Sequence, residues 1–239
     1  MKILALDSTA KVASAAVCDE DKVLAIFTCD NGMTHSEILL PMAQNCIKNA
    51  GVSLNDIELF ACNVGPGSFT GVRIGAAVIK GLAFGKNIPC IAVSTLESLA
   101  QNLLHLDGIY CPVMDARRNQ VYNALFASDG ERLVRLTDDR AMSIEELSIE
   151  LKTNYENQRI YLSGDGYDVV KNHPSMAGLN IQKTPSSLIA QNAASTAICA
   201  LKKYQAGEKA SDTSLSPTYL RMPSAERERL ERIEKTNKN

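Results

Sequence analysis

The sequence contains no tryptophan, and aromatic residues make up only 5% of it. Proteins that bind single-stranded nucleic acids stack bases on aromatic side chains, so a stacking surface of that kind is not expected here. Neither sign of charge dominates, because 25 Lys and Arg residues stand against 27 Asp and Glu residues, which gives a net charge of −2. The chain therefore lacks the positive excess of a typical nucleic-acid-binding domain. Any contact with RNA would depend on a local patch or on a partner protein.

Long apolar segments are also missing. The N-terminal run 1–7 reaches a charge at Asp7, too early for a signal peptide. The uncharged stretch 184–201 is interrupted by polar residues, so it predicts an amphipathic helix and not a membrane span. The seven cysteines are odd in number and form no C-x-x-C pair, which is typical of small buried side chains in a reducing compartment. We therefore expect a cytoplasmic protein without membrane association.

The first half of the chain alternates between strand and helix patterns. Leu39, Ala43 and Ile47 form an apolar stripe at helical spacing, and Gly51 ends that helix. The order predicts a mixed sheet, in which an antiparallel meander is followed by parallel strands with crossover helices. The predicted strands are 2–7, 12–18, 23–29, 57–64 and 88–93, and the predicted helices are 34–50, 68–85 and 94–106.

The second half begins with a similar pattern. LALDSTAKVASAAVCDEDK and PVMDARRNQVYNALFASDGE both show an apolar strand, a terminal Asp, a polar turn and an alternating strand. This indicates an internal duplication of about 100 residues, although any two β-meanders share part of such a pattern. We predict halves at 1–106 and 107–223 and a charged tail at 224–239. The remaining predictions are strands at 109–115, 120–126, 132–136 and 159–163 and helices at 143–152, 166–172 and 187–204.

The most specific string is GPGSFTGVR at 65–73, which follows a strand and opens a helix. Backbone N–H groups at such a position can bind an anion. The string nevertheless lacks the Gly-Lys pair of a phosphate loop and the glycine spacing of a dinucleotide fold. A tight turn whose glycines permit close packing, or a contact with a partner, is the favoured interpretation.

Two strand ends carry carboxylates that suit a nucleotide cleft. Asp7 is followed by two hydroxyl residues, as in the first phosphate loop of actin-like ATPases, but the usual glycine is missing. Asp115 and Arg117 occupy the equivalent position of the second half, and the turn 164–166 is either a nucleotide-side turn or a plain loop. Hydrolytic chemistry has little support, since the three histidines are far apart and no Gly-x-Ser-x-Gly elbow is present.

The chain resembles the TsaB family, also called YeaZ. Five strings in the same order carry the resemblance: 3–8 (ILALDS), 35–41 (HSEILLP), 65–75 (GPGSFTGVRIG), 114–122 (MDARRNQVY) and 217–221 (PTYLR). The resemblance implies an actin-like ATPase fold (ASKHA) in the α/β class, built from two ribonuclease-H-like halves with mixed sheets. It also implies a subunit of the bacterial machinery that adds threonylcarbamoyl to the adenosine beside the tRNA anticodon.

Within that machinery the resemblance implies a non-catalytic role. The partner TsaD carries the metal and transfers threonylcarbamoyl from threonylcarbamoyl-AMP, TsaE is the ATPase, and tRNA is reached through the complex. In TsaD a His-x-x-x-His pair holds the metal, whereas the corresponding stretch here places Thr95 and Leu99 at those positions. We therefore expect no metal, no cofactor and at most weak nucleotide binding. A metallopeptidase-like (glycoprotease) hydrolase and an actin-fold small-molecule kinase stay open as alternatives.

The resemblance further implies that helices 34–50 and 68–85 form the interface with TsaD and, in isolation, with a second copy of the chain. The expected interface residues are His35, Ser36, Leu39, Phe69, Thr70, Val72, Arg73 and Ala76. The expected residual nucleotide cleft consists of Asp7, Ser8, Thr9, Asp115 and Arg117.

Overall fold

A computed structural model describes residues 1–20, 22–128, 130–208, 210–211 and 215–221, and the predicted charged tail 224–239 lies outside these ranges. The strands are β1 (Lys2–Asp7), β2 (Ala13–Asp19), β3 (Lys22–Cys29), β4 (Leu59–Asn63), β5 (Cys90–Val93), β6 (Ile109–Arg117), β7 (Gln120–Asn123), β8 (Phe126–Ser128), β9 (Leu133–Arg135), β10 (Arg140–Ser143), β11 (Ile160–Ser163) and β12 (Ile181–Gln182). The helices are α1 (His35–Asn49), α2 (Phe69–Ala83), α3 (Thr95–Gln101), α4 (Ile144–Tyr155), α5 (Tyr167–Lys171) and α6 (Ala193–Gln205). No helix within the described ranges is long and apolar enough to cross a membrane.

Two sheets repeat one topology. The first has the strand order β3-β2-β1-β4-β5, and the main path of the second is β10-β7-β6-β11-β12. In each sheet the first three strands of that path pair antiparallel with one another, and the fourth and fifth strands are added in parallel to the third. The same order of directions in both sheets confirms the internal duplication and the predicted fold of two ribonuclease-H-like halves.

The strand β1 lies at the centre of the first sheet and is apolar on both faces. Successive side chains of a strand point to opposite faces. Leu4 and Leu6 accordingly pack into the core beneath α1 and α2, whereas Ile3 and Ala5 pack against α6. Helices cover both faces of this sheet. Both sets of side chains on β1 are therefore buried, and residues 3–6 are all apolar instead of alternating with polar residues.

One helix from each half packs against the sheet of the other half. The helix α3 follows the first sheet in sequence, yet Leu96 and Leu99 pack with Tyr110 of β6 in the second half. The helix α6 follows the second sheet, yet its alanines pack on β1 and β2 of the first. The two helices also contact each other, with Ser98 and Thr196 hydroxyl oxygens 3.0 Å apart. A boundary drawn in sequence at residue 106 therefore divides the sheets but not the helices that cover them.

Several predicted boundaries differ from the structure. The segment 120–126, predicted as one strand, is divided into β7 and β8, which pair with opposite ends of β6. The short strands β10 and β12 were not predicted. The predicted helix 187–204 begins only at Ala193, because the Asn192 side chain accepts a hydrogen bond from the Ala194 N–H (2.9 Å) and caps the helix there. The predicted helix 94–106 ends at Gln101 and continues in turns.

Candidate functional site

A cleft of about 840 Å³ lies between the two halves, at the carboxyl ends of β1, β4, β6 and β11. In open α/β sheets ligands bind in this position. Most residues that line it lie at the ends of these strands and in the turns after them, in the loop before α6 and in the last described segment. The lining residues are Thr9–Val12, Asp30, Pro66–Phe69, Met114–Arg117, Tyr122, Gly164, Asp165, Tyr167–Val169, Ile189–Gln191 and Thr218–Arg221.

The carboxylate of Asp7 is engaged by the chain itself. Its Oδ1 accepts hydrogen bonds from the Thr9 N–H (2.9 Å) and from the Thr9 hydroxyl (2.7 Å), and its Oδ2 accepts one from the Asn63 amide. The residue is 1% exposed. Burial raises the pKa of Asp7, although the hydrogen bonds from Thr9 and Asn63 act in the opposite direction. Asp7 therefore lies behind the cleft and does not face it.

Glycines bring the turn after β4 against the loop after β1. A β-carbon at Gly67 would lie 2.3 Å from the Thr9 carbonyl oxygen, and one at Gly71 would lie 1.9 Å from the Ser8 carbonyl oxygen. The Ser68 N–H, which an anion at the start of α2 would need, instead donates to the Thr9 carbonyl (2.7 Å). These contacts favour packing over anion binding for this turn.

The second half contributes a charged rim. The Asp115 carboxylate accepts hydrogen bonds from the Arg117 N–H (2.8 Å) and from its guanidinium (3.2 Å), and the Asp115 N–H donates to the Asp165 carboxylate (3.0 Å). Arg117, Arg118 and Asn119 all have positive φ, at 65°, 56° and 56°. This conformation builds the tight turn between β6 and β7 and leaves the Arg117 side chain 81% exposed at the cleft.

The structure brings only part of the predicted nucleotide cleft together. Thr9, Asp115 and Arg117 line the cleft, whereas Asp7 and Ser8 do not. Ser8 is buried, and its hydroxyl donates to the Gly71 carbonyl (2.8 Å). The placement of these two side chains in the cleft is therefore wrong, because Ser8 packs against Gly71 and Asp7 is enclosed by Thr9 and Asn63. Sequence reasoning missed Asp30 and Gln191 as lining residues, and no local pattern marks either one.

Beside the cleft, the exposed side of α2 carries an aromatic and cationic cluster. The Phe69 and Tyr219 rings stack with their centroids 4.7 Å apart. The Arg73 guanidinium carbon lies 3.8 Å from the Phe69 ring centroid, and Arg73 Nε donates to the Tyr219 hydroxyl (2.8 Å). Thr70 and Ala77 are exposed on the same side of the helix. Arg73 is therefore held in a fixed orientation at the surface.

Three of the expected interface residues are buried. Leu39 is 0% exposed, Val72 is 2% exposed and Ala76 is 4% exposed, so the placement of these side chains on an outer surface is wrong. Leu39 and Ala76 pack beneath their helices in the core of the first half. The glycines Gly71 and Gly75 face the Ser8 loop and not a partner helix. A partner surface on α1 and α2 must therefore consist of other residues of these helices that are exposed.

His35 links the first turn of α1 to the loop after β1. Its Nε2 lies 2.6 Å from the Ala10 carbonyl oxygen, while Nδ1 is buried without a hydrogen-bond partner among the described residues. Thr34 and Glu37 form the capping box of the helix, so His35 is not the cap. Ser36, next to it, is exposed. His35 therefore helps to hold the cleft loop in place.

At the two positions where the resemblance implies a histidine pair in TsaD, this chain has side chains without metal-binding nitrogen or sulfur atoms. Thr95 is fully buried and its hydroxyl has no partner within the described ranges. Leu99 packs in the core between α3 and β6. Among the described residues no group of three His, Cys, Asp or Glu side chains could hold a metal ion.

Comparisons with known proteins agree with these features. A family model described as "TsaD: tRNA N6-adenosine threonylcarbamoyltransferase" matches residues 31–228. The "tRNA threonylcarbamoyladenosine biosynthesis protein TsaB" of Bacillus subtilis is 33% identical over 165 residues, which cover 69% of this chain and 72% of that protein. The protein of the same name from Escherichia coli is 40% identical over 132 residues, or 54% of this chain and 56% of that protein.

A solved structure, "YeaZ from Pseudomonas aeruginosa", matches with a TM-score of 0.75 at 25% identity and covers 92% of this chain and 99% of that one. The match to the family model, at 31–228, includes the glycine-rich turn and α1 to α6, and the structural match covers 92% of the chain and so includes both halves. The chain belongs to the TsaB (YeaZ) family of TsaD-like proteins.

Proposed function

We propose that this chain is a non-catalytic subunit of the bacterial machinery that makes threonylcarbamoyladenosine in tRNA, where it supports the transferase TsaD. The observation that carries the proposal is the state of Asp7. Both of its carboxylate oxygens accept hydrogen bonds from Thr9 and Asn63, and the residue is 1% exposed. Three of the roughly four acceptor positions of that carboxylate are already used and the side chain is closed off from the cleft, so we do not expect it to hold a water molecule of a magnesium ion beside a bound nucleotide.

The pathway is supported by the comparisons. Two relatives carry the name of a tRNA threonylcarbamoyladenosine biosynthesis protein, and the matching family model is described as a tRNA N6-adenosine threonylcarbamoyltransferase. The non-catalytic role is supported by Thr95 and Leu99, which occupy the positions of the metal-binding pair implied for TsaD. We place the transfer chemistry on TsaD, nucleotide hydrolysis on TsaE and tRNA binding on the assembled complex.

The partner surface that we propose is the exposed side of α1 and α2. On α2, Thr70, Arg73, Ala77 and Gly81 are exposed at spacings of three and four residues and form one stripe. The neighbouring α1 adds Leu40, which is 39% exposed. Small side chains in this stripe allow a helix of TsaD, or of a second copy of the chain, to approach closely. A symmetric dimer would use the same patch twice.

Reconstitution tests this proposal. The purified chain alone is expected to modify no tRNA. Its omission from a mixture of TsaD, TsaE, threonylcarbamoyl-AMP synthase and tRNA is expected to lower the modification rate at least about tenfold, a loss of about 1.4 kcal/mol. Elemental analysis of the purified components is expected to place the metal in TsaD. Modification by the isolated chain, or an undiminished rate without it, would contradict the proposal.

Nucleotide binding gives a second test. Because Asp7 is enclosed and the Ser68 N–H is used by Thr9, the isolated chain is expected to bind Mg-ATP with a dissociation constant no tighter than about 1 mM. Isothermal titration calorimetry measures this directly. A dissociation constant near about 1 μM, which corresponds to about −8 kcal/mol, would show that the cleft retains the nucleotide site of an active ATPase.

A further inference from the structure

The last described segment, 215–221, runs across the mouth of the cleft, and we call it the C-terminal strap. It begins deep in the first half, where Leu215 is 0% exposed in the core beneath α1 and α2. The Thr218 N–H then donates to the Val64 carbonyl (2.8 Å), directly after β4. From Thr218 onward the strap lines the cleft.

The strap touches both halves of the molecule. Its Thr218 carbonyl oxygen lies against Gly65, where a β-carbon would be only 2.7 Å away, and Tyr219 stacks on Phe69. Its final described residue, Arg221, donates from Nη1 to the Ala116 carbonyl (3.2 Å) in β6 of the second half. The segment therefore spans the cleft from one wall to the other.

The strap becomes more exposed along its length. Leu215 is enclosed in the core, whereas Tyr219 is 42% exposed. Tyr219 stacks on Phe69, accepts a hydrogen bond from Arg73 and has the Arg73 guanidinium carbon 5.7 Å from its ring centroid. Within the described ranges the strap contacts the second half through a hydrogen bond from Arg221, which is partly exposed. A segment that is buried at one end and exposed at the other can release locally without unfolding the domain.

We infer that the C-terminal strap limits the opening of the cleft and that Tyr219 is its releasable contact. Among the described residues other links join the halves away from the strap. In the α3–α6 pair Ser98 meets Thr196, and the Ser195 hydroxyl donates to the Asn102 side chain (2.6 Å). The Ser94 hydroxyl, at the start of α3, also donates to the Asp139 carboxylate of the second half. The strap is a separate bridge across the cleft itself. Its release would widen the space between the first and second halves. This inference does not depend on which partner binds the chain.

Hydrogen–deuterium exchange of the full chain tests the strap. In Tyr219→Ala the stack and the hydrogen bond from Arg73 are lost, so residues 218–221 are expected to exchange about tenfold faster. The cleft segments 9–12, 114–117 and 164–169 are expected to exchange faster as well. The matched control is Phe84→Ala, because Phe84 is also aromatic, is 87% exposed and lies outside the cleft lining.

Faster exchange confined to the strap would overturn the inference, because the strap would then not restrain the cleft. Unchanged exchange in Tyr219→Ala would also overturn it, because Tyr219 would then not anchor the strap. If Tyr219→Ala fails to fold, Tyr219→Trp supplies a second readout, since the chain has no other tryptophan. Adding Phe69→Ala to that variant is expected at least to double the acrylamide quenching constant of the tryptophan, and an unchanged constant would count against the strap.

Discussion

Replacing Gly71 with alanine is expected to lower the free energy of unfolding by about 3 kcal/mol, because the new β-carbon would lie 1.9 Å from the Ser8 carbonyl oxygen. That oxygen belongs to the backbone, so no side-chain rotation can relieve the overlap. The helix α2 would have to move away from the loop after β1. The hydrogen bond from the Ser8 hydroxyl to the Gly71 carbonyl (2.8 Å) would be strained by the same shift.

The same helix provides the control. A β-carbon at Gly81 would meet no atom within 4 Å, so Gly81→Ala is expected to raise the free energy of unfolding by up to about 1 kcal/mol through helix propensity alone. Urea unfolding followed by circular dichroism compares the two variants with the parent chain. Equal effects of the two substitutions would show that Gly71 is retained for helix flexibility and not for the close approach to Ser8.

The order of strands and helices could be predicted because both halves show the same local sequence pattern at their start. Asp7 and Asp115 each end an apolar strand and are each followed by a polar turn and an alternating strand. The sheet orders agree with that repeat. The exchange of α3 and α6 between the halves could not be predicted in this way. Both helices are apolar enough to cover either sheet, and the choice depends on the three-dimensional path of the chain.

The sequence alone did not show which side chains face the cleft and which are enclosed by the rest of the chain. Asp7 looked like a cleft carboxylate because it ends a strand, but its amide donor Asn63 is 56 residues away in the chain.

The buried side of α2 was also ambiguous in the sequence, because small or apolar residues surround most of that helix. Ala76 and Ala77 are adjacent and identical in type, yet the first is buried and the second is exposed. Only the position of the sheet and of the Ser8 loop distinguishes them.

Arg73→Glu is expected to weaken binding to TsaD at least about thirtyfold, a loss of about 2 kcal/mol, if the exposed stripe of α2 is the partner surface. Arg73 stacks on Phe69 and uses Nε for the Tyr219 hydroxyl, so its terminal nitrogens carry four further N–H donors in a fixed plane. A carboxylate of a partner can accept two of them at once. Reversal of the charge would place two carboxylates face to face.

Calorimetric titration with TsaD measures the change in affinity, and three further variants identify its cause. Arg73→Lys keeps the charge but loses the planar donors, so we expect an intermediate affinity.

Ala77→Arg places a long side chain one turn further along the stripe, away from the strap, and is expected to weaken binding as strongly as Arg73→Glu. Arg159→Glu changes the charge by the same amount in the second half and is expected to bind like the parent chain. Among the described residues the Arg159 side chain has an exposed ion pair with Asp107 (3.6 Å) as its charged contact. Full affinity in both Arg73→Glu and Ala77→Arg would remove α2 from the partner surface, because one variant changes charge and the other changes shape on the same exposed stripe.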